Sequence, residues 1–115
     1  MIVTVTLNPS LDRTLSVASL VRGEVIRADS TQEDPAGKGV NVARALSAHG
    51  TEAVAVLPAG GSIGRGLVGL LAEQGFASRA IPIAGTTRAN VTVVEPDGTT
   101  TKLNEPGPQL SAAEL

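Results

Sequence analysis

A chain of 115 residues with 42 % apolar and 17 % charged side chains suits one small folded domain and excludes low-hydrophobicity disorder. Its net charge of −2 arises from 9 basic and 11 acidic residues scattered without a basic block, and the single Phe offers no stacking platform, which argues against nucleic-acid binding. With no cysteine and one histidine, disulfides, thiol catalysis and Cys- or His-cluster metal sites are excluded.

The first residues, MIVTVTLNPSLDR, lack the basic start and unbroken apolar run of a secretory leader. No apolar stretch of membrane-spanning length follows, so no membrane association is expected and the cytoplasm is the expected location.

Residues 2–7 read as a strand stopped by Asn8-Pro9-Ser10. Residues 14–18 and 25–31 alternate apolar and polar side chains across a turn at Arg22-Gly23-Glu24, which predicts a small sheet apart from the main core. Asp34-Pro35-Ala36-Gly37-Lys38-Gly39 breaks that pattern. Val40, Ala43 and Leu46 then fall at helical spacing, with Gly50 as the stop.

Residues 53–57 read as a buried strand, 60–66 as a loop, 67–74 as a helix closed by Gly75, and 80–83 as a short strand. Residues 89–95 and 99–104 form a hairpin around Asp97-Gly98. The order predicts an α/β fold with an appended antiparallel sheet. Ser111 and Glu114 make a capping-box pattern with Leu110 as staple, a helix start one residue before the last, so the sequence expects a longer protein.

Two nucleotide-binding patterns fail on inspection. Gly64-Arg65-Gly66-Leu67-Val68-Gly69 matches a dinucleotide fingerprint, but no carboxylate lies between Thr86 and Val94 to hold a ribose, which disfavours a nicotinamide-dependent oxidoreductase. Tight helix-to-strand packing explains those glycines better. Gly37-Lys38 lacks the preceding Walker glycine, since that position is Gln32, and Gly39 replaces the required Ser or Thr.

What remains is a Gly-flanked lysine at a helix N-terminus, whose free backbone N–H groups favour anionic or oxygen-rich ligands. Asn41 on the first turn offers both a donor and an acceptor. Asp12 after the first strand has a carboxylate for two hydroxyls of one ligand, and Arg88 at a strand mouth has a fork suited to phosphate. His49 reads as a solvated residue near a helix end.

Ala36-Gly37-Lys38-Gly39-Val40-Asn41-Val42-Ala43, followed by Gly50 and Gly60, resembles the N-terminal signature of the PfkB carbohydrate kinases. Thr6-Leu7-Asn8-Pro9-Ser10-Leu11-Asp12, Thr87-Arg88-Ala89-Asn90-Val91 and Asn104-Glu105-Pro106-Gly107-Pro108 are similar to the branch holding 1-phosphofructokinase and tagatose-6-phosphate kinase. Ala36 departs from the Gly that many relatives carry, a change the pattern tolerates.

The resemblance implies a ribokinase-like α/β core with a small antiparallel β-sheet lid, its strands near 12–18, 24–32, 88–95 and 99–104, and residues 1–115 forming the N-terminal part of one kinase domain. It implies that Asp12, Gly37, Gly39 and Asn41 hold the sugar, that Lys38 and Arg88 favour its phosphate, and that Arg27 on a lid strand reaches a neighbouring subunit. A homodimer through the lid follows. The second signature, Gly-Ala-Gly-Asp with the catalytic base, and the pocket for ATP with Mg2+ would lie beyond Leu115, so no catalytic or metal residue is expected here and this stretch alone is expected to be inactive.

The activity so implied is phosphorylation of fructose 1-phosphate to fructose 1,6-bisphosphate. Tagatose-6-phosphate kinase and PfkB-type 6-phosphofructokinase are alternatives within the family. A non-catalytic sugar-phosphate-binding fragment is the alternative of another class.

Overall fold

The computed structural model describes residues 1–115 as two small sheets with two helices. The first sheet is parallel and holds β1 (Ile2–Val5), β4 (Ala53–Ala59) and β5 (Ala77–Pro82), with β4 in the centre. The second has the order β3-β2-β6-β7, from β2 (Ser10–Ser16), β3 (Ser30–Ala36), β6 (Arg88–Val94) and β7 (Thr100–Leu103). Helices α1 (Lys38–Ala48) and α2 (Gly61–Glu73) follow β3 and β4, and one 3-10 turn spans Ala112–Glu114.

The core lies between the helices and one face of the parallel sheet. Ala53, Ala55 and Leu57 of β4 pack with Val40 and Ala43 of α1, Leu67 and Leu71 of α2, and Phe76. Positions 64, 67 and 71 fall on one stripe of α2 and are all buried, as a helix with one inward face requires. The other face of the sheet carries Val3 and Val5, both more than half exposed.

Several elements depart from the sequence reading. β3 runs over Ser30–Ala36, not 24–32, because pairing with β2 sets it: Ser10 lies opposite Ala36 and Ser16 opposite Ser30. Pro35, read as a breaker, is tolerated because β3 is the edge strand, where a missing N–H breaks no ladder. β2 begins at Ser10, two residues before the expected 12–18, and residues 25–28, including the exposed Arg27, are extended loop rather than strand.

Of the segment 60–66, expected as a loop, Gly60 is the extended N-cap and 61–66 form the first half of α2. Glycine is costly in a helix by about 1 kcal/mol, which hides such a start from propensity. Here Gly64 pays that cost for proximity, since a β-carbon on it would lie 2.9 Å from Thr87 Oγ1 and 3.0 Å from the Ala59 carbonyl carbon. β5 likewise starts three residues before the expected 80–83.

The hairpin strands β6 and β7 pair antiparallel around Gly98, whose φ is +90°. They join the same sheet as β2 and β3, with the central pair β2–β6 parallel and both outer pairs antiparallel. Alternation within a strand cannot reveal that direction.

Candidate functional site

The two sheets meet at the C-terminal end of β1, where open parallel sheets gather ligands. An open cleft of ≈ 280 Å³ lies there, lined by Val5 to Asn8, by Gly37, Lys38 and Gly39, and by Arg88. Two cationic side chains and no carboxylate line it.

Gly37 caps α1 with φ +139° and makes no side-chain cap hydrogen bond, and no acidic residue occupies the first turn. The unpaired N–H groups of that turn and the helix dipole therefore present positive potential to the cleft. Thr6, 7 % exposed, lines the same cleft with its hydroxyl unpartnered, and the buried Arg88 Nε is unpartnered as well. Buried donors without acceptors are costly, and a ligand oxygen relieves them.

Arg88 opens β6 and braces the cleft. Its Nη2 donates to the Asn8 carbonyl at 3.0 Å and its Nη1 to the Glu105 carbonyl at 3.4 Å. The segment 105–108 is tied in further: Asn8 Nδ2 donates to the Pro106 carbonyl, Ala89 N donates to Glu105 Oε1, and Glu105 N donates to Asn90 Oδ1. Gly107, at φ +91°, lies against the Asn8 amide, where no side chain fits.

The second sheet offers a polar face continuous with the cleft. Side chains two apart on a strand share a face, as do paired residues of neighbouring strands. Ser10 lies opposite Arg88, and Asp12 opposite Asn90 and Asp34, so these five form one polar patch. Ser10, 1 % exposed, donates to Asp12 Oδ1 at 2.6 Å and fixes that carboxylate. Asp12 therefore sits inside β2 rather than at the end of the first strand, where the sequence reading put it.

Gly37, Lys38, Gly39 and Arg88 are thus brought together, with Asp12 joined to them through the sheet face. Asn41 is not a lining residue; it is exposed on α1, and its Oδ1 accepts from Arg44 Nη1 at 3.1 Å. Thr6, Asn8, Ser10 and Glu105 were missed as site residues by chemistry alone. Their signal was their place inside the motif blocks quoted above. His49 is the exposed C-cap of α1, and the pattern Gly64 to Gly69 lies within α2, not at the strand-to-helix turn a dinucleotide needs.

Residues 5–114 match the profile described as pfkB family carbohydrate kinase. The chain is 43 % identical to the ATP-dependent 6-phosphofructokinase isozyme 2 of Mycobacterium tuberculosis, over 98 % of this chain and 34 % of that protein. It is 40 % identical to the 1-phosphofructokinase of Xanthomonas campestris pv. campestris, over 98 % of this chain and 36 % of the relative. The crystal structure of phosphofructokinase-2 from Escherichia coli in complex with fructose-6-phosphate superposes with a TM-score of 0.92 at 34 % identity, covering 98 % of this chain and 38 % of that one. The chain spans about a third of the length of the curated relatives it matches.

Proposed function

The chain belongs to the pfkB family of carbohydrate kinases, and from that membership we propose that it is the sugar-binding third of an ATP-dependent kinase acting on fructose 1-phosphate to give fructose 1,6-bisphosphate. The observation that carries the reading is the cleft between the sheets. It joins Lys38, Arg88 and the N-terminus of α1, with no carboxylate, to a polar sheet face bearing an oriented Asp12.

A phosphate suits the cleft, because a guanidinium fork, an ammonium group and helix N–H groups all favour a dianion. A sugar ring suits the polar face, where the Asp12 carboxylate accepts from hydroxyls. Gly37 and Gly39 line the cleft with backbone while packing on Thr6, and the Asn41 amide, exposed on α1 outside the cleft lining, is a further polar group for a sugar that extends to it. Such positioning is a large part of phosphoryl-transfer catalysis.

ATP supplies the phosphoryl group when bound. The nucleotide, its metal and the base that takes the hydroxyl proton are assigned to the remainder of the enzyme. No helix of the chain is long and apolar enough to cross a membrane. Leu103, 65 % exposed on the edge strand β7, leaves an apolar side chain open at the rim of the second sheet, which suits a homodimer formed through the sheet as a lid.

A second reading within the family is 6-phosphofructokinase, favoured by the relative at 43 % identity. Both share one product and differ in the acceptor. A coupled assay of the full-length protein with MgATP compares fructose 1-phosphate, fructose 6-phosphate and tagatose 6-phosphate, with Asp12→Ala and Arg88→Ala alongside. Preference for fructose 1-phosphate, lost in both variants, is the expected result. Turnover of none of the three ends the kinase reading.

A further inference from the structure

We propose that Arg44 is a positioning residue for this site: by occupying the Asn41 amide oxygen it leaves the NH2 group of that amide as the end free to donate, and it clips the end of β3 to α1. The inference rests on the function proposed above and adds a residue to it.

The Arg44 guanidinium reaches three separate parts of the fold. Its Nη1 donates to Asn41 Oδ1 at 3.1 Å, its Nη2 to the Pro35 carbonyl at 2.7 Å, and its Nε to Gln74 Oε1 at 3.0 Å. The guanidinium carbon stands 6.0 Å from the centre of the Phe76 ring, at the outer reach of a cation–π contact. None of these partners is charged, and the ion pair of the chain, Arg13–Glu33, lies elsewhere. The cation is held by shape, not by a counter-charge.

Guanidinium has five donors and no acceptor. Whichever Asn41 atom faces Arg44 must therefore be the oxygen. That commitment leaves the two N–H groups of Asn41 as its offering, so the ligand atom they meet supplies a lone pair. The sequence alone allowed Asn41 either polarity; Arg44 selects one.

The bond to Pro35 does a second job. Pro35 is the fully buried next-to-last residue of β3, two before the Gly37 that caps α1. Gln74 is the C-cap of α2. Arg44 thus ties the strand end, the glycine–lysine turn and both helices into one unit. Lysine, a point charge on a flexible stem, cannot span three acceptors in a plane.

The test uses the full-length protein with Arg44→Ala, Arg44→Lys, Asn41→Ala, Asn41→Asp and the double variant Arg44→Ala/Asn41→Ala. Calorimetric titration with fructose 1-phosphate and fructose 6-phosphate reads affinity without turnover, and steady-state assays read KM for each substrate. Arg44→Ala is expected to weaken sugar-phosphate binding about tenfold, the loss of one charge-assisted hydrogen bond, with KM for ATP unchanged. Arg44→Lys does not restore it, and added methylguanidinium restores Arg44→Ala in part.

Arg44→Ala also costs less in the Asn41→Ala background than alone. Asn41→Asp keeps an oxygen for Arg44 but removes the donor, so it binds as weakly as Asn41→Ala. Additive losses in the double variant, wild-type binding by Asn41→Asp, or a lowered Tm with unchanged affinity each overturn the inference. Binding by the wild type without turnover ends the kinase reading and leaves this one standing. Failure of the wild type to bind either sugar phosphate ends both.

Discussion

A β-carbon on Gly37 would lie 2.6 Å from the methyl group of Thr6, and one on Gly39 would overlap the Thr6 hydroxyl. Thr6 thus fills the two spaces that flank Lys38, and glycine on both sides is a packing demand from β1. The two positions differ in one respect. Gly37 has φ +139°, a conformation that side chains avoid, whereas the obstacle at Gly39 is Thr6 and, at 3.0 Å, the Val5 carbonyl. Gly37→Ala and Gly39→Ala should each cost about 1–3 kcal/mol and impair sugar-phosphate binding. Adding Thr6→Ala should recover part of the loss at Gly39 and almost none at Gly37. Thermal denaturation of the four variants reads the difference, and equal recovery at both positions would contradict it.

Arg88 has two roles that separate by substitution. Bracing uses the fork, since Nη1 and Nη2 reach carbonyls on either side of the cleft. Anion binding uses the charge. Arg88→Ala is expected to lower stability by about 1 kcal/mol, because two solvent-exposed carbonyl bonds are exchanged for water, and to abolish phosphate affinity. Arg88→Lys keeps the charge and loses the fork, so it should be nearly as unstable as Arg88→Ala while still binding phosphate. Denaturant titration and phosphate titration on the same samples check this. An Arg88→Lys protein of wild-type stability removes the bracing role.

Local chemistry made much of this legible. Asp97-Gly98 named the hairpin, and Val40, Ala43 and Gly50 named α1, because turns and helix faces are written within a few neighbouring residues. Gly37, Lys38 and Arg88 were legible for the same reason. Position in the sheet was not. β3 was misplaced because its partner, β2, lies some twenty residues away, and Pro35 is harmless only on an edge. The start of α2 was hidden by glycines whose purpose is contact with Ala59 and Thr87. Arg44 was invisible for a similar reason, since its acceptors come from β3, α1 and the end of α2.

Acid should loosen one particular joint first. Glu114 accepts from the Ser111 N–H at 2.9 Å and from the Ala84 N–H at 2.8 Å, and these bonds hold its carboxyl below the ordinary value of 4.5. Because the folded value is depressed, the contribution is complete above that ordinary value and is lost as pH falls through the lower folded one. Asp97, bonded to Thr99 in the hairpin turn, shifts in the same direction. Amide hydrogen exchange at Ala84 and Ser111 is expected to accelerate, relative to the intrinsic rate, below pH 4.5 but not between pH 5 and 8. Glu114→Gln should remove that acid dependence. Protection that is unchanged at pH 3 would rule out the joint.

The face of the parallel sheet that the helices leave open, flanked only by Leu110, Ala113 and Leu115, leads to the last prediction. Parallel sheets are normally covered on both faces. Here the helices cover one, while Val3, Val5 and Ile81 stand exposed at 57 %, 63 % and 40 % on the other. The chain exposes 7161 Å², against about 5,800 Å² expected for a compact protein of this mass. Its radius of gyration of 15.6 Å likewise exceeds the roughly 13 Å of a compact domain. Apolar patches of this kind drive association. The isolated 115-residue chain is therefore expected to self-associate at micromolar concentration in sedimentation velocity, and Val3→Lys/Val5→Lys should return it toward the monomer. In a full-length protein in which this face is covered, the same pair should cost several kcal/mol, because it would bury two lysines without partners. A full-length protein that tolerates both lysines at no cost would show that the face is open there too, and a monomeric wild-type fragment would show that the patch is too small to drive association.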